Sequence, residues 1–338
     1  MLTRASRVAS AAMDAPLVHA PVLTSGVVAG EAYGKVILLG EHAVVYGVPA
    51  LAGALPGGVT VEKAAGSGLV RVPAWALELD LASESSQGIT VGRALRAIVA
   101  RLGITKLRRD VDLVVHFGLP TGSGLGSSAA LAIAIARALA DTHGLVVDAD
   151  TLEAAGMDSE TVIHGRPSGL DHTVAQRGGF GLFVRGEGLT VVKAAQPIPL
   201  VIGHTGKERD TKGRVARVAE LVAERSSEMK PCIDRIGALS LAGARAVERG
   251  DLSALGEAMR ENQHLLHTLE VSCPEIEHMV QLAEDAGALA CKLTGGGGGG
   301  CVIALAPDRE RDVAAAWAAA GLRSFITEVG GATQGELR

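Results

Sequence analysis

Residues 120–130 read Pro-Thr-Gly-Ser-Gly-Leu-Gly-Ser-Ser-Ala-Ala, with Gly122, Gly124 and Gly126 at every second position just before an alanine-rich apolar run. A helix N-terminus carries unpaired N–H groups and a partial positive charge, and glycines just ahead of it let the backbone wrap an anion closely. The segment Gly122, Ser123, Gly124, Leu125, Gly126, Ser127 and Ser128 is therefore a candidate phosphate cradle. The two serine hydroxyls can cap the helix, bind phosphate or reach Mg2+. A tight strand-to-helix turn would look much the same, so the loop alone defines an anion site and no more. The Gly-x-x-x-x-Gly-Lys-Ser/Thr loop occurs nowhere in the chain, and in residues 122–127 the dinucleotide fingerprint fails because its third glycine comes one residue early. Asp141, about twenty residues on, keeps a dinucleotide-dependent oxidoreductase as an alternative from another class.

Three further segments carry groups suited to phosphoryl transfer. Gly34-Lys35 precedes the apolar run Val36–Leu39, and Gly40-Glu41-His42 follows it. A strand of about six residues spans roughly 20 Å, so Lys35 and the Glu41-His42 pair act together only if the chain folds back around one cleft. Gly165-Arg166-Pro167-Ser168-Gly169-Leu170-Asp171 is a loop whose proline and glycines fix an unusual path and deliver a carboxylate to a defined place. Glu160 lies about one turn before the end of the preceding expected helix. Transfer to a hydroxyl needs one carboxylate to take its proton and another to hold Mg2+. Residues 295–300 are six consecutive glycines flanked by strand-like runs, which argues for a loop whose backbone approaches a ligand rather than for a linker. His264 and His267, at i and i+3 with no third ligand nearby, read as ordinary helix residues.

The periodicity supplies elements to position these groups. It predicts strands at 36–39, 59–63, 69–72, 111–117 and 180–184, and helices over 91–102, 129–140 and 151–164. The 129–140 helix is apolar on nearly every face and so belongs in a domain centre. A glycine-rich polar stretch, 185–188, marks a lobe boundary nearby. Beyond it come a strand at 199–203, helices near 212–228, 232–248, 251–270 and 275–286, strands at 288–293 and 301–306, a helix at 308–320 and a strand at 322–329. This alternation predicts a layered α/β lobe.

Composition bounds the function. A chain of 338 residues suggests two domains. Only 2% of residues are aromatic and the net charge is -5, which argues against nucleic-acid binding by stacking or by a basic field. The densest basic cluster, Lys106–Arg109, is short and reads as a solvated turn before a strand. The cysteines Cys232, Cys273, Cys291 and Cys301 lack metal or disulfide spacing and fit a reducing cytoplasm, with Cys291 and Cys301 as core fillers. No apolar run is long enough to span a membrane. Residues 1–29, with Arg4 and Arg7 against a single acid, Asp14, faintly resemble a transit peptide and are expected to be a disordered or start-site extension.

Taken together, residues 34–47, 120–130 and 292–301 resemble, in order, the three motifs of the mevalonate kinase family, part of the superfamily that includes galactokinase, homoserine kinase and phosphomevalonate kinase. The middle motif is shared across that superfamily, whereas Gly40–Gly47 and His164–Asp171 are similar to mevalonate kinases specifically. The resemblance implies an α/β, two-lobed small-molecule kinase: a ribosomal-protein-like N-terminal ATP-binding domain at 30–190 and a ferredoxin-like C-terminal domain at 191–338. It implies ATP and Mg2+, with mevalonate as acceptor, and a homodimer by family analogy. Asp171 would be the general base for the 5-hydroxyl, and Lys35 would stabilise the alkoxide and contact the γ-phosphate. Glu160 with Ser128, ahead of Ser127, would hold Mg2+. Glu41, His42, Thr211, Gly296 and Gly297 would face mevalonate. A related kinase acting on another small alcohol or on phosphomevalonate is the neighbouring alternative. The sequence departs from the family pattern at Ala32-Tyr33, at Gly297 or its neighbour, and at His172.

Overall fold

The computed structural model describes residues 26–165 and 167–330. Most of the expected N-terminal extension, residues 1–25, and Arg166 of the loop before Asp171 lie outside the described residues. The described residues divide into two units: 26–34, 57–122, 126–165 and 167–177 form the first, and 35–56, 123–125 and 178–330 the second.

In the first unit, strands β1 (Val27–Leu39), β2 (Ala50–Ala65), β3 (Val70–Val72), β4 (Leu77–Leu79) and β5 (Val111–Phe117) are joined by helix α1 (Thr90–Arg101). The strand order runs β4-β3-β5-β2, with β3 parallel to β5 and residues 59–65 of β2 antiparallel to β5. Residues 27–29, expected to be disordered, already belong to β1. Three helices follow: α2 (Ser127–His143), α3 (Ala149–His164) and α4 (Leu170–Arg177). Helix α2 is buried from Ala129 to Ala140 apart from Arg137, as its all-round apolar sequence requires. With alanines on that helix the backbone of β1 can come very close: a Cβ on Gly30 would lie 2.1 Å from the Ala134 carbonyl oxygen. Close alanine–glycine packing is how a chain poor in aromatics fills this core. Arg137, the one cation on the buried helix, donates to the carbonyls of Glu31 and Gln176 and so leaves no uncompensated charge inside.

In the second unit, residues 50–53 of β2 pair with β6 (Phe180–Val184), which forms a hairpin with β7 (Gly188–Val192). The stretch 185–188, read as a sign of a lobe boundary, is the turn of that hairpin. Strands β8 (Ile198–His204), β9 (Ala290–Leu293), β10 (Cys301–Leu305) and β11 (Arg323–Val329) make an antiparallel sheet in the order β11-β8-β10-β9. That is the βαββαβ order expected of a ferredoxin-like fold. The first crossover is enlarged to α5 (Thr211–Glu224), α6 (Ser226–Arg249), α7 (Leu252–Thr268) and α8 (Pro274–Asp285), and the second is α9 (Glu310–Ala319). Trp317 fills the space over this sheet, fully buried, with its indole N–H donating to the Met279 carbonyl at 2.9 Å. Gly203 admits that ring: a Cβ there would lie 2.7 Å from it. The four cysteines are unpaired and buried, and burial pushes the Cys301 thiol up to about 12, as befits core fillers.

Candidate active site

The loop at the start of α2 is left-handed at each of its glycines, with φ of 75° at Gly122, 93° at Gly124 and 77° at Gly126. Side-chain-bearing residues rarely hold that conformation, so the alternation of Gly with Ser123 and Leu125 is a backbone requirement. Gly126 caps the helix with no side-chain bond, which leaves the first-turn N–H groups to be met by something else. Leu125 anchors the loop from below: it is buried, and its carbonyl accepts from the Lys35 amide at 2.9 Å.

In the first unit, Ser128 lies on the first turn of α2 while Glu160 and His164 share one face of α3 at i and i+4. His164 Nε2 is 3.4 Å from Ser128 Oγ and 3.6 Å from Glu160 Oε2. The serine and carboxylate oxygens are hard donors of the kind Mg2+ takes, so this set fits the metal the sequence reading assigns to it. Asp171 stands in the first turn of α4, where anionic side chains are stabilised by the helix N-terminus. The Ser168 hydroxyl accepts from the Leu170 amide at 3.3 Å and fixes the entry to that helix. His172 is 1% exposed, and neither ring nitrogen has a hydrogen-bond partner among the described residues. Burial lowers its pKa, against the opposing charges of Glu153 and Asp171.

In the second unit, Lys35 is buried on β1. Thr294 clasps the same strand, donating to the Ile37 carbonyl at 3.0 Å and accepting from its amide at 3.1 Å. Glu41 is ion-paired with Lys292, both fully buried, and accepts from Asn262 Nδ2 at 3.2 Å. Lys292 also donates to the Leu293 carbonyl at 2.6 Å. Burial drives the Lys292 pKa down and Glu41 opposes it. His42 takes a left-handed φ of 60°, unusual for a residue with a side chain, and its Nε2 lies 3.0 Å from the Gly296 carbonyl oxygen. Burial lowers the His42 pKa, Arg214 adds to the effect, and the hydrogen bond to Gly296 opposes it. A neutral ring donating from Nε2 keeps Nδ1 as an acceptor. Thr211 opens α5, and its buried hydroxyl has no partner among the described residues.

The glycines of 295–300 join β9 to β10, tied into a sheet as expected, but their close approach is to the protein's own chain. A Cβ on Gly296 would lie 2.4 Å from Thr211 Oγ1, on Gly297 2.1 Å from the Val271 carbonyl oxygen, and on Gly299 2.7 Å from that of Glu208. Packing against the protein's own chain thus accounts for Gly296, Gly297 and Gly299, whereas a Cβ on Gly295 would meet nothing nearer than 4.0 Å.

Four side chains escaped the sequence reading. Lys292 and Asn262 hold Glu41, and Arg209 places a guanidinium nitrogen 2.9 Å from where a Cβ on Gly124 would stand. His164 completes the Ser128–Glu160 group. Two had signals: a lysine inside the apolar run Ala290–Leu293, and the i,i+4 spacing of Glu160 and His164. Asp141, the residue that kept a dinucleotide site open, is ion-paired with Lys63.

Comparison with known proteins agrees with this architecture. The family model for the GHMP kinases N terminal domain matches residues 90–179, and that for GHMP kinases C terminal matches residues 244–322. The chain is thus an ATP-dependent small-molecule kinase, and the oxidoreductase alternative falls. A mevalonate kinase of Pyrococcus horikoshii is 35% identical over 323 residues, covering 89% of this chain and 95% of that protein. The crystal structure of L. major mevalonate kinase in complex with R-mevalonate has a TM-score of 0.78 at 27% identity, covering 92% of this chain and 99% of that one. The Methanococcus jannaschii mevalonate kinase shares the fold, with a TM-score of 0.79 at 22% identity over 90% of this chain and 98% of that one. The chain belongs to the GHMP kinase family, on its mevalonate kinase branch.

Proposed function

We propose that this chain transfers the γ-phosphate of ATP to the 5-hydroxyl of mevalonate, giving 5-phosphomevalonate, the activity carried in the names of its relatives. The observation that carries the reading is the gathering of Ser128, Glu160 and His164 at the helix opened by the glycine loop. That loop and the first-turn N–H groups of α2 hold the phosphates. Ser128 and Glu160 would hold Mg2+, which would supply positive charge to offset that of the phosphates.

A hydroxyl is a poor nucleophile, so Asp171 takes its proton as the new O–P bond forms. Lys35 supplies positive charge for the developing alkoxide and the γ-phosphate. The partnerless Thr211 hydroxyl and His42 Nδ1 offer a donor and an acceptor to mevalonate. Glu41, the neighbour of His42, has its carboxylate engaged by Lys292 and Asn262 and completes, with Gly296 and Gly297, the residues assigned to mevalonate. The domains at 30–190 and 191–338, a cytoplasmic location and a homodimer complete the proposal. Among the described residues no helix is long and apolar enough to cross a membrane.

The test is ADP release from MgATP with mevalonate, phosphomevalonate, homoserine or galactose offered in turn. Turnover with mevalonate alone is expected. Turnover with another acceptor and none with mevalonate would overturn the substrate assignment.

A further inference from the structure

His164 stands where neither phosphate binding nor proton transfer uses it, yet its Nε2 faces both proposed metal-binding oxygens. Two cis ligands of an octahedral ion with bonds of ~2.1 Å lie ~3 Å apart. The separations of His164 Nε2 from Ser128 Oγ, 3.4 Å, and from Glu160 Oε2, 3.6 Å, approach that spacing. One nitrogen thus stands close to both oxygens. The His164 side chain is 46% exposed, whereas the Glu160 side chain is buried at 4%. Helix α3 sets this up, because residues four apart on one helix project from the same face.

We infer that His164 is a third protein ligand of the catalytic metal, making the site one nitrogen and two oxygens rather than oxygen alone. The inference rests on the reading of Ser128 and Glu160 as the metal-binding pair. An imidazole nitrogen is a softer donor than carboxylate or hydroxyl. It shifts a site's preference away from Mg2+ towards later divalent ions such as Co2+, which gain most from nitrogen ligation. The site therefore binds Co2+ relative to Mg2+ more strongly than an oxygen-only site would. Its choice of ion is written into a histidine on the helix that carries the carboxylate.

Mn2+ bound to the full-length protein with ADP provides the test, because pulsed EPR detects a directly coordinated imidazole nitrogen as 14N modulation without any turnover. The expected result is 14N modulation in the wild type that disappears in both His164→Gln and His164→Ala. In the same variants, the preference for Co2+ over Mg2+, read by displacement of Mn2+, should fall by roughly tenfold. Two variants guard against a local packing fault in one of them, and the wild-type spectrum needs neither. If Mn2+ binds with ADP and is weakened by Glu160→Gln but shows no 14N modulation, the inference is overturned while the Ser128–Glu160 reading stands. If Mn2+ binding is indifferent to Glu160→Gln, both fall.

Discussion

The two glycine-rich loops look alike as sequence and differ in what surrounds them. In the loop at 122–126 a Cβ on Gly122 would meet nothing within 4 Å, and one on Gly124 would meet only the end of the Arg209 side chain. In the loop at 295–300 the spaces beside Gly296, Gly297 and Gly299 are filled by Thr211 and by the backbone carbonyls of Val271 and Glu208. Both loops need left-handed φ values. The first therefore spends its glycines on a backbone shape that leaves space beside Gly122, and the second spends Gly296, Gly297 and Gly299 on contact with its own domain. A glycine run is evidence for close approach, and the partner in that approach has to be found in three dimensions.

The largest effect that would sharpen this contrast is expected at Lys292, on the strand leading into the second loop. Replacing it with Met leaves the buried Glu41 carboxylate without its cation, and urea unfolding should show a loss of about 3–5 kcal/mol. The double variant with Glu41→Gln should recover part of that loss. Next comes the pair Gly297→Ala and Gly122→Ala. Both force a side chain into left-handed backbone, but only Gly297 also meets a carbonyl oxygen at 2.1 Å. The expected costs are about 2–4 kcal/mol for Gly297 and roughly 1–2 kcal/mol for Gly122, with the latter raising the KM for ATP. Equal stability costs would break the comparison. Arg209→Ala should leave stability within about 0.5 kcal/mol and raise the KM for ATP about tenfold, since a cation over Gly124 serves a bound phosphate and not the fold.

The smallest effect is a slope with pH. His42 and His172 have pKa values lowered by burial from 6.5, so in the native state they hold fewer protons than in the unfolded chain just below that pH. Their contribution to stability is complete above pH 6.5 and is lost as pH falls towards the native values. Chemical denaturation from pH 7 to 5 should show the decline, with a shallower slope in His172→Asn.

Local chemistry made much of this legible in sequence. Strands 111–117 and 180–184 have the bounds their apolar runs imply, and the all-apolar helix is the buried α2. The phosphate loop was readable because glycine, serine and helix start are neighbours in the chain. The long β2 was not, since Gly53, Pro56, Gly57 and Gly58 interrupt its pattern while pairing with β5 and β6 carries the strand through. Neither was the Glu41–Lys292 pair, whose members are 251 residues apart. Such a pairing leaves no periodic trace; its only sign is a lysine where the strand is otherwise apolar.

The account rests most heavily on Asp171 as the base that takes the proton of the mevalonate hydroxyl. Steady-state turnover of MgATP with mevalonate by wild type and Asp171→Asn addresses it directly, with circular dichroism to confirm folding. The account predicts a kcat lower by at least about a thousandfold at a nearly unchanged KM, because the lost interaction is made in the transition state. A variant that phosphorylates mevalonate at close to the wild-type rate would contradict it.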